Sequence, residues 1–336
     1  MDQLSAHLDR GWDLAQKGDA QGALTCARRA LELDPKSPEV HNLFGYAAAL
    51  DGDSEEALEH YRQALTLDET YLEAMLNAAE VLVSPLGEWD QAVDMCNDAL
   101  DYAETDEEIT DCVLLKVDAL IGKGDLEAAK KAIAMIPAGP FEAASYEFLI
   151  GRAHYELGDL EKAAPLIESA VTKDPQHADA RYYLGLVRDE KGDARGATDA
   201  FLHARALDQL RGAPSWAPTA EAFAAIVQSA VLKLDALLAR YVREAEVFCL
   251  EIVGAELVVD GVDPRALVIV DVPQPPPTEG TNGQATKARI FVYQRSLERA
   301  AGALEHLKAE LARALEHEIA TLFVETGATT VKEELN

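Results

Sequence analysis

The chain has 336 residues, of which 49% are hydrophobic, so it can bury a sizeable core in two domains or one elongated array. Sixty acidic against thirty basic residues give a formal net charge of −30. Because this charge repels nucleic-acid phosphates and anionic lipid head groups, we expect neither a nucleic-acid-binding nor a membrane-binding function.

The cysteines and the start of the chain indicate a reducing compartment. Cys26, Cys96, Cys112 and Cys249 are widely spaced and include no CxxC pair, which argues against a zinc knuckle or a disulfide framework. The first residues lack a basic segment followed by an apolar one, and no apolar run is long enough to cross a membrane. We therefore expect a cytoplasmic protein.

The first part of the chain repeats itself. A glycine followed by an acid recurs at spacings of 34, 35, 37, 34 and 34 residues, and an alanine follows each glycine five residues later. Since glycine permits the left-handed turn that ends a helix and Asp caps the next helix, each unit is predicted to be an antiparallel helical hairpin. The glycines are Gly18, Gly52, Gly87, Gly124, Gly158 and Gly192; the alanines are Ala23, Ala57, Ala92, Ala129, Ala163 and Ala197.

Further small residues and prolines keep the same phase. Gly11, Gly45, Gly151 and Gly185 lie seven residues before a turn glycine, where a small side chain lets two helices approach closely. Proline ends the first and fifth units at Pro35 and Pro175. The pattern resembles the tetratricopeptide repeat family over residues 4 to 212, with six units; the third and fourth carry the irregular spacings, and the fourth has Val117 and Ile136 at small-residue positions.

This resemblance implies a groove lined by the first helix of each hairpin, which accepts an extended or helical segment of a partner. The family pattern directs ten residues inward: Leu8, Trp12, Asn42, Tyr46, Phe148, Arg152, Tyr155, Tyr182, Leu186 and Asp189. The carboxylate clamp of the chaperone-binding members is not expected, because its positions hold Leu8, Trp12, Asn77 and Glu73 here. A protein or peptide partner, basic or helical in character, is expected instead. The alternative is that the tyrosines only fill the packing between repeats.

The repeat phase stops in a Gly- and Pro-containing stretch after Leu207, which predicts one domain over residues 1–212 and another over 213–336. In the second domain, Thr219 is predicted to cap a helix over Glu221–Tyr241, and three strands are predicted at Val247–Leu250, Leu267–Val270 and Ile290–Tyr293. The Pro-rich segment Pro273–Gly283 is predicted to be an exposed loop. A long helix is predicted over Ala303–Phe323.

The long helix contains His317, Glu318 and Thr321 in an HExx sequence. In zinc hydrolases with HExxH, two histidines four residues apart bind the metal and the glutamate activates water. Here Thr321 stands at the second histidine position. Together with the segment Ile290–Arg299, this helix makes residues from about 220 to 326 resemble the bacterial zincin-like metallopeptidase family.

The resemblance implies a small α+β domain in which His317 would be a metal ligand and Glu318 the general base. The family's downstream glycine, which forms a turn, corresponds to Val324, and its aspartate, the third ligand, corresponds to Gly327. With Thr321 at the second histidine position, two of the three ligands are missing. We therefore expect no cofactor and no catalytic residue beyond this residual motif. Glu325 lies about 2.2 turns after His317, and an unconventional zinc site of His317, Glu318 and Glu325 is the alternative.

These features predict a mainly α protein, a tetratricopeptide-type solenoid followed by a small α+β zincin-like domain. The leading functional hypothesis is an interaction scaffold with an inactive metallopeptidase-like domain. A zinc-dependent metallopeptidase whose substrates are delivered by the groove is the alternative. A third hypothesis is that the second domain binds intact peptidase relatives or their substrates as a competitor.

Overall fold

The computed structural model describes residues 3–214, 216–236, 238–240, 242, 245–271 and 287–333, with the side chains of 240 and 323–333 left out. It divides into two compact units, Met1–Pro175 and Gln176–Asn336, called unit 1 and unit 2 below. The predicted loop Pro273–Gly283 lies entirely within residues 272–286, which are outside the described residues.

Unit 1 consists of helical hairpins, each made of an A helix and a B helix packed against each other. The A helices are α1 (Gln3–Gln16), α3 (Pro38–Asp51), α5 (Leu72–Val83), α7 (Asp106–Lys123) and α9 (Ala144–Glu156). The B helices are α2 (Ala20–Leu33), α4 (Ser54–Leu67), α6 (Trp89–Leu100), α8 (Leu126–Ile133) and α10 (Leu160–Lys173). Unit 2 begins with a further hairpin, α11 (Ala178–Glu190) and α12 (Ala194–Leu210), so six hairpins lie within the described residues, as the repeat spacing predicts.

The turn between the two helices of a hairpin has the structure that its sequence predicts. Gly52 and Gly158, for example, have φ of 96° and 78°, a left-handed conformation that favours glycine over other residues. The next aspartate then caps the B helix: Asp53 accepts from the backbone N–H of Glu56 at 3.0 Å, and Asp19 accepts from that of Gly22 at 2.9 Å.

Small residues bring the helices of each hairpin into close contact. Ala57 and Ala163 have no accessible surface, and a Cβ atom built on Gly45 would lie 2.6 Å from Cε1 of Tyr61. A Cβ on Gly185 would lie 2.4 Å from the ring of Phe201 in the same way. The positions at which small residues recur in the sequence are therefore the positions at which the two helices of a hairpin touch.

Unit 2 continues with an α+β region. Its elements are α13 (Ala220–Leu232), β1 (Glu246–Leu250), α14 (Ala255–Val259), β2 (Val268–Asp271), β3 (Arg289–Tyr293), α15 (Gln294–Ala301) and α16 (Leu307–Glu333). The strands form a sheet of order β1-β3-β2, with β1 parallel and β2 antiparallel to β3. Its core contains Phe223 of α13, Ile290 of β3, and Leu311 and Leu315 of α16.

The strand predictions are confirmed to within one residue, and Thr219 caps α13 by accepting from the N–H of Ala222 at 3.3 Å. The prediction that α13 continues to Tyr241 is wrong, because the helix ends at Leu232, which is 85% exposed, and the chain turns so that Leu234 packs on the core. Helices α14 and α15 were not predicted from the sequence. Gly302, at φ of 67°, separates α15 from α16, which begins at Leu307.

The last hairpin belongs to unit 2 because an ion-pair cluster joins it to the α+β region. Asp179 of α11 and Asp208 of α12 each bind both Arg265, which precedes β2, and Arg299 of α15. Burial opposes ionisation of Asp179, but the two guanidinium groups outweigh it and hold the pKa of this carboxyl below its usual range. Tyr182 adds a hydrogen bond to Asp263 at 2.8 Å. The compact-unit boundary thus falls one hairpin before the end of the repeat pattern.

Replacing Gly45 with alanine tests the close packing of α3 on α4. We expect the free energy of unfolding to fall by about 1–3 kcal/mol, because the new methyl group would overlap Tyr61 and lie 3.0 Å from the carbonyl oxygen of Ala57. This is the opposite of the usual gain of about 1 kcal/mol for Gly→Ala inside a helix. Chemical denaturation measures the change, and the same substitution in a Tyr61→Leu background should lose most of its cost. An unchanged stability would contradict the packing.

Replacing Asp208 with asparagine tests the ion-pair cluster. The Asp208 side chain is 13% exposed, and it accepts from Nε of Arg265 at 2.9 Å and from Arg299. Its loss would leave two guanidinium groups short of one carboxylate, so we expect unit 2 to lose about 2–4 kcal/mol. The control is Asp271→Asn, which breaks a half-exposed pair with Arg289 and should cost less than about 1 kcal/mol. Equal losses in urea denaturation would rule out the structural role of the cluster.

Candidate functional site

The candidate site is the face of unit 1 formed by its A helices, called the inner face below. Besides packing on its own B helix, each A helix contacts the next A helix along the chain: α1 with α3, α3 with α5, α5 with α7, and α7 with α9. Side chains 34 or 35 residues apart therefore meet across neighbouring hairpins. Such a face is where repeat stacks present a binding surface.

An aromatic pair lies at the amino-terminal end of the inner face. The rings of Trp12 and Tyr46, 34 residues apart, have centroids 5.2 Å apart at an interplanar angle of 59°. Tyr46 is 37% exposed and Trp12 is partly buried. The pair offers a rigid apolar surface together with a phenolic hydroxyl group, which suits contact with a partner side chain.

Asn42 is buried beneath this surface and not part of it. Its side chain has no accessible surface; Nδ2 donates to the hydroxyl of Tyr71 at 3.2 Å, and Oδ1 accepts from Nδ2 of Asn77 at 3.0 Å. Asn42 was predicted to line the groove, and the structure corrects this prediction. The residue links α3 to α5, since a buried amide must satisfy its hydrogen bonds inside the protein.

Acidic side chains occupy the middle of the inner face. Glu80 of α5 is accessible to water, yet desolvation by the surrounding protein raises the pKa of its carboxyl. Desolvation also raises the pKa of Asp111 on α7, which accepts a hydrogen bond from the hydroxyl of Tyr146 at 3.2 Å. The same burial, with the charge of Asp111, raises the pKa of Tyr146 to about 12. A cation placed here would stabilise the ionised carboxylates.

Asp118 and Arg152 form an internal pair in the next layer. Nη2 of Arg152 donates to both carboxylate oxygens of Asp118, at 2.9 and 2.7 Å, and both side chains are about one-quarter exposed. Burial raises the pKa of Asp118 in spite of the nearby guanidinium group. Arg152, predicted to contact a partner, is thus already engaged by an acid of the neighbouring hairpin.

The other predicted groove residues fall into different environments. Phe148 is 6% exposed and belongs to the interior, so it is removed from the groove lining. Leu8 and Tyr155 are partly buried in unit 1. In unit 2, the hydroxyl of Tyr182 donates to Asp263, and Cζ of Arg265 lies 4.3 Å from the centroid of the Tyr182 ring. Leu186 is partly buried and Asp189 is exposed.

Five residues of this face were missed in the sequence analysis: Tyr71, Glu80, Asp111, Asp118 and Tyr146. Three of them bind the residue that the repeat spacing pairs with them: Asp118 binds Arg152, and Asp111 and Tyr146 bind each other. Pairing every A-helix polar residue with those 34 or 35 positions away would have found three of them. Tyr71 precedes α5 and gives no such signal.

The residual HExx sequence lies on α16 and does not form a metal site in the described residues. His317 is exposed, and the hydroxyl of Thr321 donates to the carbonyl oxygen of His317 at 2.9 Å. No group of three His, Cys, Asp or Glu side chains within the described part of the chain could hold a metal ion. The side chains of Glu325 and Gly327 lie outside the described residues. The residues seen therefore do not fit the zinc of a peptidase.

Comparison with known proteins identifies the hairpins. Residues 8–71 and 148–213 match the family model of the tetratricopeptide repeat. These two stretches carry tetratricopeptide repeats. Two solved structures share the fold of these repeats. PilF of Pseudomonas aeruginosa is 18% identical, with a TM-score of 0.52, and the alignment covers 61% of this chain and 91% of PilF. PilW, described as a type IV pilus biogenesis factor, is 17% identical, with a TM-score of 0.52, and the alignment covers 60% of this chain and 92% of PilW.

A shorter similarity exists to a curated protein of Pseudomonas putida strain KT2440, the probable biofilm formation methyltransferase WspC. The two chains are 34% identical over 71 residues, which is 21% of this chain and 17% of the methyltransferase. This chain therefore matches less than a fifth of the relative's length, and the similarity says nothing of a shared activity.

Across the described residues, the helices that were searched are too short or too polar to span a bilayer.

Proposed function

We propose that this protein is an interaction scaffold whose tetratricopeptide repeats bind a cationic segment of a partner protein along the inner face of unit 1. The observation that carries the proposal is the position of two acids, Glu80 on α5 and Asp111 on α7, which the A helices leave accessible or half-buried on that face. Desolvation raises the pKa of both carboxyls. Carboxylates that the protein itself desolvates, without a full set of basic partners, gain the most from a cationic ligand.

The charge distribution supports the same partner. Unit 1 carries 36 acidic and 13 basic residues, whereas unit 2 carries 24 and 17. Most of the negative charge thus belongs to the hairpins that form the inner face. A field of this sign speeds the encounter with a basic segment and weakens as salt is added. Next to the acids, Trp12 and Tyr46 would contact apolar side chains of the partner.

Binding of labelled peptides tests this function. The probe is a 15-residue peptide of lysine and leucine at helical spacing, and its matched control has glutamate at every lysine position. We expect the lysine peptide alone to bind, with Glu80→Gln lowering its affinity about three- to tenfold, as for the loss of one interfacial charge. Glu55→Gln, on the exposed surface of α4, removes the same charge elsewhere and should change the affinity less than about twofold.

Fluorescence anisotropy at low and high salt measures these affinities. Equal effects of the two substitutions would mean that the peptide follows net charge only, and the inner face would not be its site. Tyr46→Ala gives a second readout, because losing the aromatic surface should weaken binding at every salt concentration.

We further propose that the α+β region of unit 2 is a zincin-like domain without catalytic metal, which serves as structure. Strand β3 precedes the helix α16 that contains the HExx sequence, as the resemblance implies, although α15 between them was not predicted. Thr321 stands at the position of a ligand in the family. The exposed His317 offers one imidazole, whereas zinc sites in proteins require three or four ligands.

Elemental mass spectrometry of the purified, tag-free protein tests the metal-free domain. We expect less than about 0.1 zinc per chain in the natural protein and in Thr321→His, because the second histidine alone still leaves the ligand set incomplete. One zinc per chain that is lost in His317→Ala would overturn this proposal and favour a metallopeptidase, whose chelator-sensitive activity Glu318→Ala would abolish.

A further inference from the structure

A cavity of about 440 Å³ lies within unit 2, apart from the inner face and from His317. It is bounded by the end of α12, the segment that follows it, the loops before α14 and β2, and α15. Its volume lies in the range of small-molecule sites. Neither the repeat fold nor the residual HExx sequence accounts for it.

Five arginines line this cavity, in a chain whose net charge is −30: Arg205, Arg211, Arg265, Arg295 and Arg299. Three of them are neutralised in place. Arg265 and Arg299 share Asp179 and Asp208, and Arg295 lies 3.0 Å from Glu251 and 3.5 Å from Glu298. Four carboxylates thus face five guanidinium groups, which leaves one positive charge in excess.

The excess belongs to Arg205 and Arg211. Nε of Arg205 donates to the carbonyl oxygen of Val253 at 2.6 Å and Nη1 donates to Gln209 at 3.4 Å, both neutral acceptors. Arg211 is exposed and makes no ion pair within 4.0 Å among the described residues; at longer range its charge helps Arg265 and Arg299 to lower the pKa of Asp179. Arg205 is thereby held in position, while Arg211 can turn its donors toward a ligand.

Part of the remaining wall is apolar, while Asp208, Ser296 and Glu298 add polar groups. Pro214, Trp216, Ile252 and Pro264 line the cavity beside these arginines, and Trp216 also packs on the core of unit 2. An apolar wall next to an unpaired guanidinium group suits a molecule with an acidic head and an apolar body.

We propose that this cavity binds a small organic carboxylate, with its acidic group on Arg211 and Arg205 and its apolar body against Trp216, Ile252 and Pro264. A single excess positive charge favours a monoanion over a phosphate ester with two charges. The ligand would lie between α12 and the α+β region, so its binding stabilises the docking of the last hairpin within unit 2.

Calorimetric titration of the full chain with 3-phenylpropionate tests the proposal. 3-Phenylpropan-1-ol has the same apolar body without the charge, and phenyl phosphate carries a doubly charged head. We expect the carboxylate to bind at least about fivefold more tightly than the alcohol and more tightly than the phosphate ester. Failure of the carboxylate to bind at millimolar concentration would overturn the site, and tighter binding of phenyl phosphate would overturn the preference for a monoanion.

Three variants assign the binding to the cavity. Arg211→Gln should weaken the carboxylate about three- to tenfold and leave the alcohol unchanged, whereas Ile252→Ala should weaken both ligands by a similar factor. Arg195→Gln removes an exposed arginine elsewhere in unit 2 and should leave both affinities unchanged. An equal effect of Arg211→Gln and Arg195→Gln would show that only the overall charge matters, which contradicts the proposal.

Discussion

Close approach between helix backbones is the constraint on which this structure depends. Glycine and alanine recur where a larger side chain would meet its partner helix, as Gly45 meets Tyr61 and Gly185 meets Phe201. The contact recurs at nearly the same place in each hairpin, so neighbouring A helices meet with a shift of 34 or 35 residues. The hydrogen-bonded pairs across hairpins, such as Asp118 with Arg152, follow from this spacing.

The stacking of the hairpins determines which side chains lie on the inner face, including its acidic ones. Asn42 is buried and holds α3 against α5 through its hydrogen bonds, so it is not available to a partner. Tyr46 and Glu80 remain accessible to water. Desolvation raises the pKa of Glu80, and in the proposed function a cationic partner would stabilise its ionised form. Stability of the stack depends on the small residues between helices, whereas the proposed affinity for a cationic partner depends on the acidic residues of the inner face.

Unit 2 uses charge differently. Asp179 and Asp208 on the last hairpin neutralise Arg265 and Arg299, and this network makes the hairpin part of the α+β region. The arginines outnumber their carboxylates by one, which is why we infer a carboxylate ligand nearby. On α16, the hydroxyl of Thr321 donates to the backbone carbonyl oxygen of His317, one turn earlier in the same helix.

The sequence alone determined the hairpins, their turns and the three strands, because glycine phase, aspartate caps and β-branched runs act locally. It could not determine that Asn42 and Phe148 are buried while Glu80 is accessible, since the repeat pattern places a residue on a helix face without fixing its depth. It also missed the end of α13 at Leu232, where packing of Leu234 outweighs helical periodicity. Only the tertiary structure paired Asp208 with Arg265, because residues 57 positions apart meet through folding and not through any local pattern.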